Sequence, residues 1–263
     1  MRSEAAATTC DTRFRLLCWN IHRGYQASRV AAELLRLTRA LSPDLVLLQE
    51  VPIWADGPFW ELDELRALFD EFNLAFAPMH RVSRSSAYYP FEESGLLLAA
   101  NRPLTQVEVL ELPTVTRPKL GRDHRIVRVA LRGHIRTSAG PTRIVNIHLE
   151  NTTGPSGRSW QARWLAERLL DPEPVVLAGD VNTLWGRREG VSQAYAAAGL
   201  AEVDLVAFGR APRLDRIFSR GVEVVGAVTV PAGGSDHQPL AAEIRVIPGE
   251  SLILDPIRGS RGL

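Results

Sequence analysis

Lysine is almost missing: Lys119 is the only one in 263 residues, so the positive side of the chain is nearly all arginine. Genomic base composition accounts for such a bias, and the planar guanidinium also suits bidentate phosphate contacts. Excess charge is missing too. A formal net charge of +1 provides no long-range pull toward nucleic acid of the kind a strongly basic binder has. There are two cysteines, Cys10 in an expected tail and Cys18 in an expected strand, which excludes a disulfide framework and leaves neither in a catalytic setting. No Cys/His ligand spacing is present, which argues against structural zinc. Apolar runs such as Leu45–Leu48 and Val175–Ala178 fall far short of the roughly 20 residues that span a bilayer. Met1–Thr12 carries Arg2 and a short alanine run but not the apolar stretch of a secretory signal, so a cytoplasmic location is the expectation.

What is present is a 45% apolar chain without low-complexity segments, enough for one sizeable core. One domain over residues 13–247 is expected, with tails at 1–12 and 248–263, although Ser251–Leu254 is apolar enough to dock on the body. Phe14–Trp19, Ser28–Leu41 and Asp44–Gln49 read as strand, helix, strand. Trp60–Phe72, Trp160–Leu170 and Ser192–Ala198 are further helical patterns, while Leu74–Ala77, Pro174–Ala178, Leu214–Ser219, Val222–Val230 and Leu240–Ile247 read as strands. Gly95–Ala100 and Leu104–Leu112, joined by Asn101-Arg102-Pro103, are expected to pair antiparallel, as are Ile126–Arg136 and Arg143–Leu149 around Gly140-Pro141. Many strands in mixed order with few helices suit stacked sheets with helices outside.

Polar residues collect where strands end. Asn20 follows Phe14–Trp19, Glu50 follows Asp44–Gln49, His148 lies late in Arg143–Leu149, and Asp180 and Asn182 follow Pro174–Gly179. Strand ends gather distant sequence positions into one site on a rigid support. Glu50, Asp180 and Asp236 are hard oxygen ligands suited to Mg²⁺ or Mn²⁺. His148 and His237 titrate near neutrality, and Asp215 is able to orient one of them. Asn20 and Asn182 offer neutral donors to a carboxylate or a phosphate oxygen. Each residue alone also has an ordinary structural reading, as a strand end, a turn or a surface ion pair; the combination points to chemistry.

The segments Cys18-Trp19-Asn20-Ile21-His22, Leu48-Gln49-Glu50-Val51, Asn146-Ile147-His148-Leu149, Gly179-Asp180-Val181-Asn182, Leu214-Asp215-Arg216-Ile217-Phe218 and Ser235-Asp236-His237 occur in that order. In this the chain resembles the endonuclease/exonuclease/phosphatase superfamily, which includes DNase I-like nucleases, abasic-site endonucleases, sphingomyelinases and inositol-polyphosphate phosphatases. The resemblance implies an α+β fold, a four-layer α/β/β/α sandwich with two mixed sheets face to face. It also implies a metal-assisted attack of water on phosphorus. By the same resemblance Glu50 is the principal metal ligand with Asn20 and Asp236 nearby, Asp180 positions or deprotonates the water, and Asn182 holds a phosphate oxygen. His237, paired with Asp215, is a second acid/base or phosphate contact, and His148 donates to the phosphate or leaving oxygen.

The substrate is less legible, because a fold fixes chemistry better than it fixes substrate. The expected partner is nucleic acid, or else a phospholipid or small phosphoester, acted on by a monomer; a non-catalytic binding domain is the remaining alternative. Trp185, Arg187 and Arg188, in the loop after Asn182, are candidate substrate contacts. So is the loop His80–Ser94, where Arg81 and Arg84 stand with Tyr88, Tyr89 and Phe91. The loop Asn151–Ser159 also leaves a site-bearing strand. After Asn20 the sequence runs Ile21-His22-Arg23-Gly24, which departs from the abasic-site branch, and His22 and Arg23 are either substrate contacts or plain loop residues. His80, His124 and His134 read as structural or surface residues.

Overall fold

Phe14, Leu16 and Cys18 alternate with Leu17 and Trp19 along the first strand, and all five are buried. A strand that is apolar on both faces must be covered on both, which places it inside a layered structure. The computed structural model, which describes residues 12–82, 91–114, 124–184, 186–206 and 214–248, shows the layers. In chain order they are built from β1 (Arg13–Asn20), α1 (Ala27–Leu41), β2 (Leu45–Trp54), β3 (Gly57–Pro58), α2 (Asp63–Phe69), β4 (Asn73–Val82), β5 (Glu93–Ala100), β6 (Leu104–Glu111) and β7 (His124–Ile126). Then follow β8 (Val129–Thr137), β9 (Gly140–His148), α3 (Gly154–Ala166), β10 (Val175–Asp180), α4 (Val191–Ala197), β11 (Ala201–Glu202), β12 (Asp215–Arg220), β13 (Val222–Thr229) and β14 (Leu240–Val246).

Two mixed sheets result, one in the order β13-β14-β1-β2-β5-β4-β7 with β3 on β2, the other in the order β11-β12-β10-β9-β8-β6. Phe14, Leu16 and Cys18 face the second sheet and pack in one cluster with Leu47, Leu98, Leu131, Ile144, Val176 and Ile217. Leu17 and Trp19 face the other way, onto Val30, Leu34 and Leu37 of α1 and Leu65 and Phe69 of α2. On the far side Val145, Ile147 and Leu177 meet Ala162 and Leu165 of α3 and Tyr195 of α4. This is the expected four-layer sandwich. α1 presents Val30, Ala31, Leu34, Leu37 and Thr38 at helical spacing and ends at Ser42, whose left-handed backbone returns its N–H to the Thr38 carbonyl at 2.8 Å. No helix among the described residues is long and apolar enough to cross a membrane.

Three expectations are corrected. Gly95–Ala100 and Leu104–Leu112 do not pair: β5 lies between β2 and β4, whereas β6 is an edge strand of the other sheet on β8. Asn101-Arg102-Pro103 carries the chain across, tied down by Asn101 Nδ2 donating to Asp44 Oδ1 at 3.1 Å and by Arg102 donating to the Arg13 carbonyl at 2.8 Å. The two strands differ in burial as central and edge strands do, β5 covered almost throughout and β6 mostly exposed. Trp60–Phe72 is not one helix, because Leu62 takes φ −54°, ψ 136° and separates a 3-10 turn at Phe59–Glu61 from α2. The helix expected over Trp160–Leu170 begins at Gly154, with Pro155 in its first turn, so the loop read over Asn151–Ser159 is largely helix. The pairing of β8 with β9 is as expected, Thr137 opposite Gly140. Of the expected tails only Thr12 and Pro248 are described, with the Thr12 carbonyl accepting from Val246 N–H at 2.9 Å.

Candidate active site

Topology brings the polar strand ends to one edge. β9 and β10 run parallel, with His148 opposite Asp180, and β12 runs antiparallel to β10, so its first residue, Asp215, also lies opposite Asp180. In the other sheet β1 and β2 are parallel, with Asn20 opposite Gln49, and antiparallel β14 begins at the same edge just after Asp236 and His237. The face-to-face packing of the sheets then closes the group. Asn20 Nδ2 donates to Asp180 Oδ2 at 2.9 Å across the sheets.

Asp180 is the hub. Its Oδ1 accepts the Asn182 N–H at 2.8 Å, and its Oδ2 lies 3.4 Å from His148 Nε2 and 3.7 Å from His237 Nε2. His237 Nδ1 is 2.7 Å from Asp215 Oδ2, an oriented histidine–carboxylate pair. His148 Nε2 is 4.0 Å from Glu50 Oε1, and Glu50 Oε2 accepts from Arg23 Nε at 3.1 Å. Asp236, with a 63% exposed side chain, joins the group through His22, whose Nδ1 lies 3.3 Å from Asp236 Oδ1. Asn182 gives one amide N–H to the Leu149 carbonyl at 3.0 Å. All eight strand-end residues therefore stand at one edge, Asp236 at its open side. The ligand atoms of Asp180, Asp215 and His237 lie within 4.8 Å of one another, close enough to share a metal ion.

Burial sets the protonation. Asp180 is pushed up to about 7 by desolvation and the neighbouring Asp215 charge, against the opposing pull of His237. Burial alone would lower His237, but its hydrogen bond and charge contact with Asp215 win and raise it to about 10. His148 is held well below the usual histidine range by burial and by Arg128, a buried guanidinium. At neutral pH the site thus offers a carboxyl poised to exchange a proton, an imidazolium and a neutral imidazole. The Cys18 thiol is raised by burial and by Asp215, which excludes it as a nucleophile.

Glu50 and Asn182 both have left-handed backbones, φ 56° and 53°, and Glu50 sits in a bulge where the β2–β5 register shifts between Leu48 and Val51. Bulges re-aim side chains beside functional sites. This one is held from the opposite sheet: Asn146 Nδ2 donates to the Leu48 and Leu97 carbonyls, both at 2.9 Å, and its Oδ1 accepts from Gln49 Nε2 at 2.6 Å. Sequence reasoning passed over Asn146 and Gln49 although both stand inside site-bearing segments, and over Arg128, for which strand alternation gives no signal. The substrate-contact candidates fare differently. Trp185 and the side chain of Arg187 lie outside the described residues, and Arg188 is exposed on the 3-10 turn Gly186–Glu189. Arg158 is buried against Glu189, its Nε 2.7 Å from Glu189 Oε2, and so braces that turn. Arg84, Tyr88 and Tyr89 are outside the described residues, while Phe91 is buried edge-on to His80. His134 is a buried partner of Glu173 at 3.0 Å, and the side chain of His124 is not among those described.

Known proteins resemble the chain in sequence and in fold. A UPF0294 protein of Yersinia pseudotuberculosis is 37% identical over 111 residues, which cover 39% of this chain and 42% of that protein. A UPF0294 protein of Vibrio vulnificus strain YJ016 is 28% identical over 256 residues, covering 90% of this chain and 79% of the relative. Among solved structures, an endonuclease/exonuclease/phosphatase from Beutenbergia cavernae superposes with a TM-score of 0.70 at 21% identity, over 89% of this chain and 72% of that one. Zebrafish TDP2 in complex with a single-strand DNA product gives 0.63 at 17% identity, over 90% and 100%. The sequence model of the Endonuclease/Exonuclease/phosphatase family matches residues 17–237, from within β1 to the last site residue. With that span and that arrangement of strand ends, the chain belongs to the Endonuclease/Exonuclease/phosphatase family.

Proposed function

We propose that the chain is a divalent-metal-dependent phosphodiester hydrolase that directs water onto phosphorus, with nucleic acid as substrate. The observation that carries this reading is the convergence of Asn20, His148 and His237 on the buried carboxyl of Asp180, with Glu50 beside them. The donor set fits a hard divalent cation: its members are mostly carboxylate and amide oxygens, and Asp215 Oδ1 is a buried oxygen without a hydrogen-bond partner. Glu50 would be the principal ligand for Mg²⁺ or Mn²⁺, with Asn20 Oδ1 and Asp236 beside it. When bound, the ion supplies charge neutralisation at the phosphate and stabilisation of the leaving oxygen.

The chain's own groups do the rest. Asp180, poised near neutrality, orients the attacking water and takes its proton. His237, kept protonated by Asp215, faces the phosphate as a cation, and neutral His148 donates from Nε2 toward an oxygen of the phosphate. Asn182 holds a second phosphate oxygen with its remaining N–H. Nucleic acid is favoured by the neighbour crystallised with a DNA product and by an exposed aromatic at the rim of the site. One observation favours a phospholipid instead: Leu184, two residues after Asn182, is 61% exposed.

The test is hydrolysis of single-stranded DNA, RNA, sphingomyelin, lysophospholipid and bis(p-nitrophenyl) phosphate by purified protein with Mg²⁺. Cleavage of the nucleic acids, abolished by EDTA and lowered by about 10²–10⁴-fold in Asp180→Asn, is expected. Activity that survives EDTA, or that Asp180→Asn leaves intact, overturns the mechanism; activity confined to the lipids transfers the reading to them.

A further inference from the structure

His22, Arg23 and Gly24 have left-handed backbones in succession, φ 48°, 57° and 62°. Two residues with side chains in that region are unfavourable, and such a turn persists only where its surroundings hold it, a pattern concentrated at functional sites. Here they do. His22 N–H donates to Asn20 Oδ1 at 3.0 Å, Ile21 N–H to the Gln49 carbonyl at 3.0 Å, and Arg23 to Glu50. Gly24 is buried so closely that a Cβ there would meet Pro52 and Trp54 at 3.1 Å.

The consequence of the turn is a flat aromatic pair at the mouth of the site. The His22 ring, held beside Asp236, stacks on the Tyr25 ring with centroids 5.6 Å apart and planes 26° apart. Tyr25 is 55% exposed, so the ring that stacks on His22 stays in large part open to solvent. Its flanks are polar: Gln26 accepts from Arg29 at 3.3 Å, and the Arg29 guanidinium lies along Gly233, three residues before Asp236. A π-surface held by the turn, with the Arg29 guanidinium on the helix that follows, suits a planar base attached to a charged backbone.

We propose that Tyr25, backed by His22, is a base-stacking subsite that holds a nucleobase adjoining the phosphate in the site, a subsite that rests on the phosphodiesterase reading above and gives its nucleic-acid substrate a second contact beside the phosphate. The test is binding rather than turnover. Fluorescence anisotropy in EDTA would compare a labelled thymidine octanucleotide with an abasic deoxyribose-phosphate strand of the same length and charge. The native protein is expected to prefer the thymidine strand by about tenfold, Tyr25→Ala to lose that preference with its affinity for the abasic strand unchanged, and Tyr25→Trp to keep it. Equal affinity of the native protein for both strands, or equal weakening of both by Tyr25→Ala, overturns the subsite. So does Tyr25-dependent binding to phosphatidylcholine vesicles without any strand preference. A preserved preference in a protein that hydrolyses no phosphodiester upholds the subsite and overturns the catalytic reading alone.

Discussion

Asp180 and His237 are 3.7 Å apart and both largely enclosed, yet their surroundings drive each away from its ordinary behaviour. The carboxyl rises to about 7 because it is desolvated beside Asp215; the imidazole rises to about 10 because Asp215 accepts its Nδ1 proton. Opposite roles for neighbouring titratable groups are what acid–base chemistry at neutral pH requires. The same shift has a thermodynamic consequence. A histidine raised from 6.5 to about 10 binds its proton more tightly in the folded chain, so its stabilisation is complete below pH 6.5 and disappears as pH rises toward 10. The difference in urea midpoint between metal-free native protein and His237→Gln is therefore expected to be widest near pH 6 and to narrow through pH 10. A gap that widens with pH would contradict the Asp215–His237 assignment.

At the scale of the element, the β2 bulge decides where Glu50 points, and Asn146 on the other sheet decides the bulge. Replacing Asn146 by alanine removes its donations to the Leu48 and Leu97 carbonyls and the shortest contact of the Gln49 amide, which keeps the Leu47 carbonyl and Cys18 Sγ within reach. A loss of roughly 1–3 kcal/mol for each carbonyl left without a partner is therefore expected in denaturant unfolding. The same variant should need more Mg²⁺ for half-maximal hydrolysis, because Glu50 is no longer fixed; lost stability with an unchanged Mg²⁺ requirement would make Asn146 purely architectural. This staple also shows where sequence reading stops. A polar residue that ends an apolar run is conspicuous, which is why Asn20, Glu50, His148 and Asp180 are legible in the sequence. Asn146 lies inside such a run, and the carbonyls it serves belong to residues 98 and 49 positions away, a pairing that local periodicity does not encode. For the same reason β5 and β6 looked like a hairpin: local alternation marks a strand, but which sheet receives it depends on partners far along the chain. The layers themselves were legible, since β1 and β2 are apolar on both faces and α1 on one. His22 and Arg23 were not, because only the three-residue left-handed turn aims them at Asp236 and Glu50.

For the molecule as a whole, the near-neutral charge and the packed sandwich leave specificity to local features of one edge. A net charge of +1 gives little steering at a distance, so capture of the proposed substrate would rest on short-range contacts such as the guanidinium groups and the exposed ring around the site. The two sheets supply rigidity: each contributes polar ends that are useless apart, Asn20 and Glu50 from one and His148, Asp180 and Asp215 from the other, and the inter-sheet core holds them in register. The proposed activity of this joint edge is hydrolysis of phosphodiesters with a divalent ion held chiefly by Glu50. The most direct measurement is the Mg²⁺ activation curve for cleavage of a single-stranded oligonucleotide by the native protein and by Glu50→Gln. No cleavage without Mg²⁺, saturable activation in the native protein and a half-maximal concentration raised at least about tenfold in Glu50→Gln are expected, a loss of the size that removing a charged partner produces. Superimposable curves for the two proteins, or cleavage that needs no divalent ion, would contradict it.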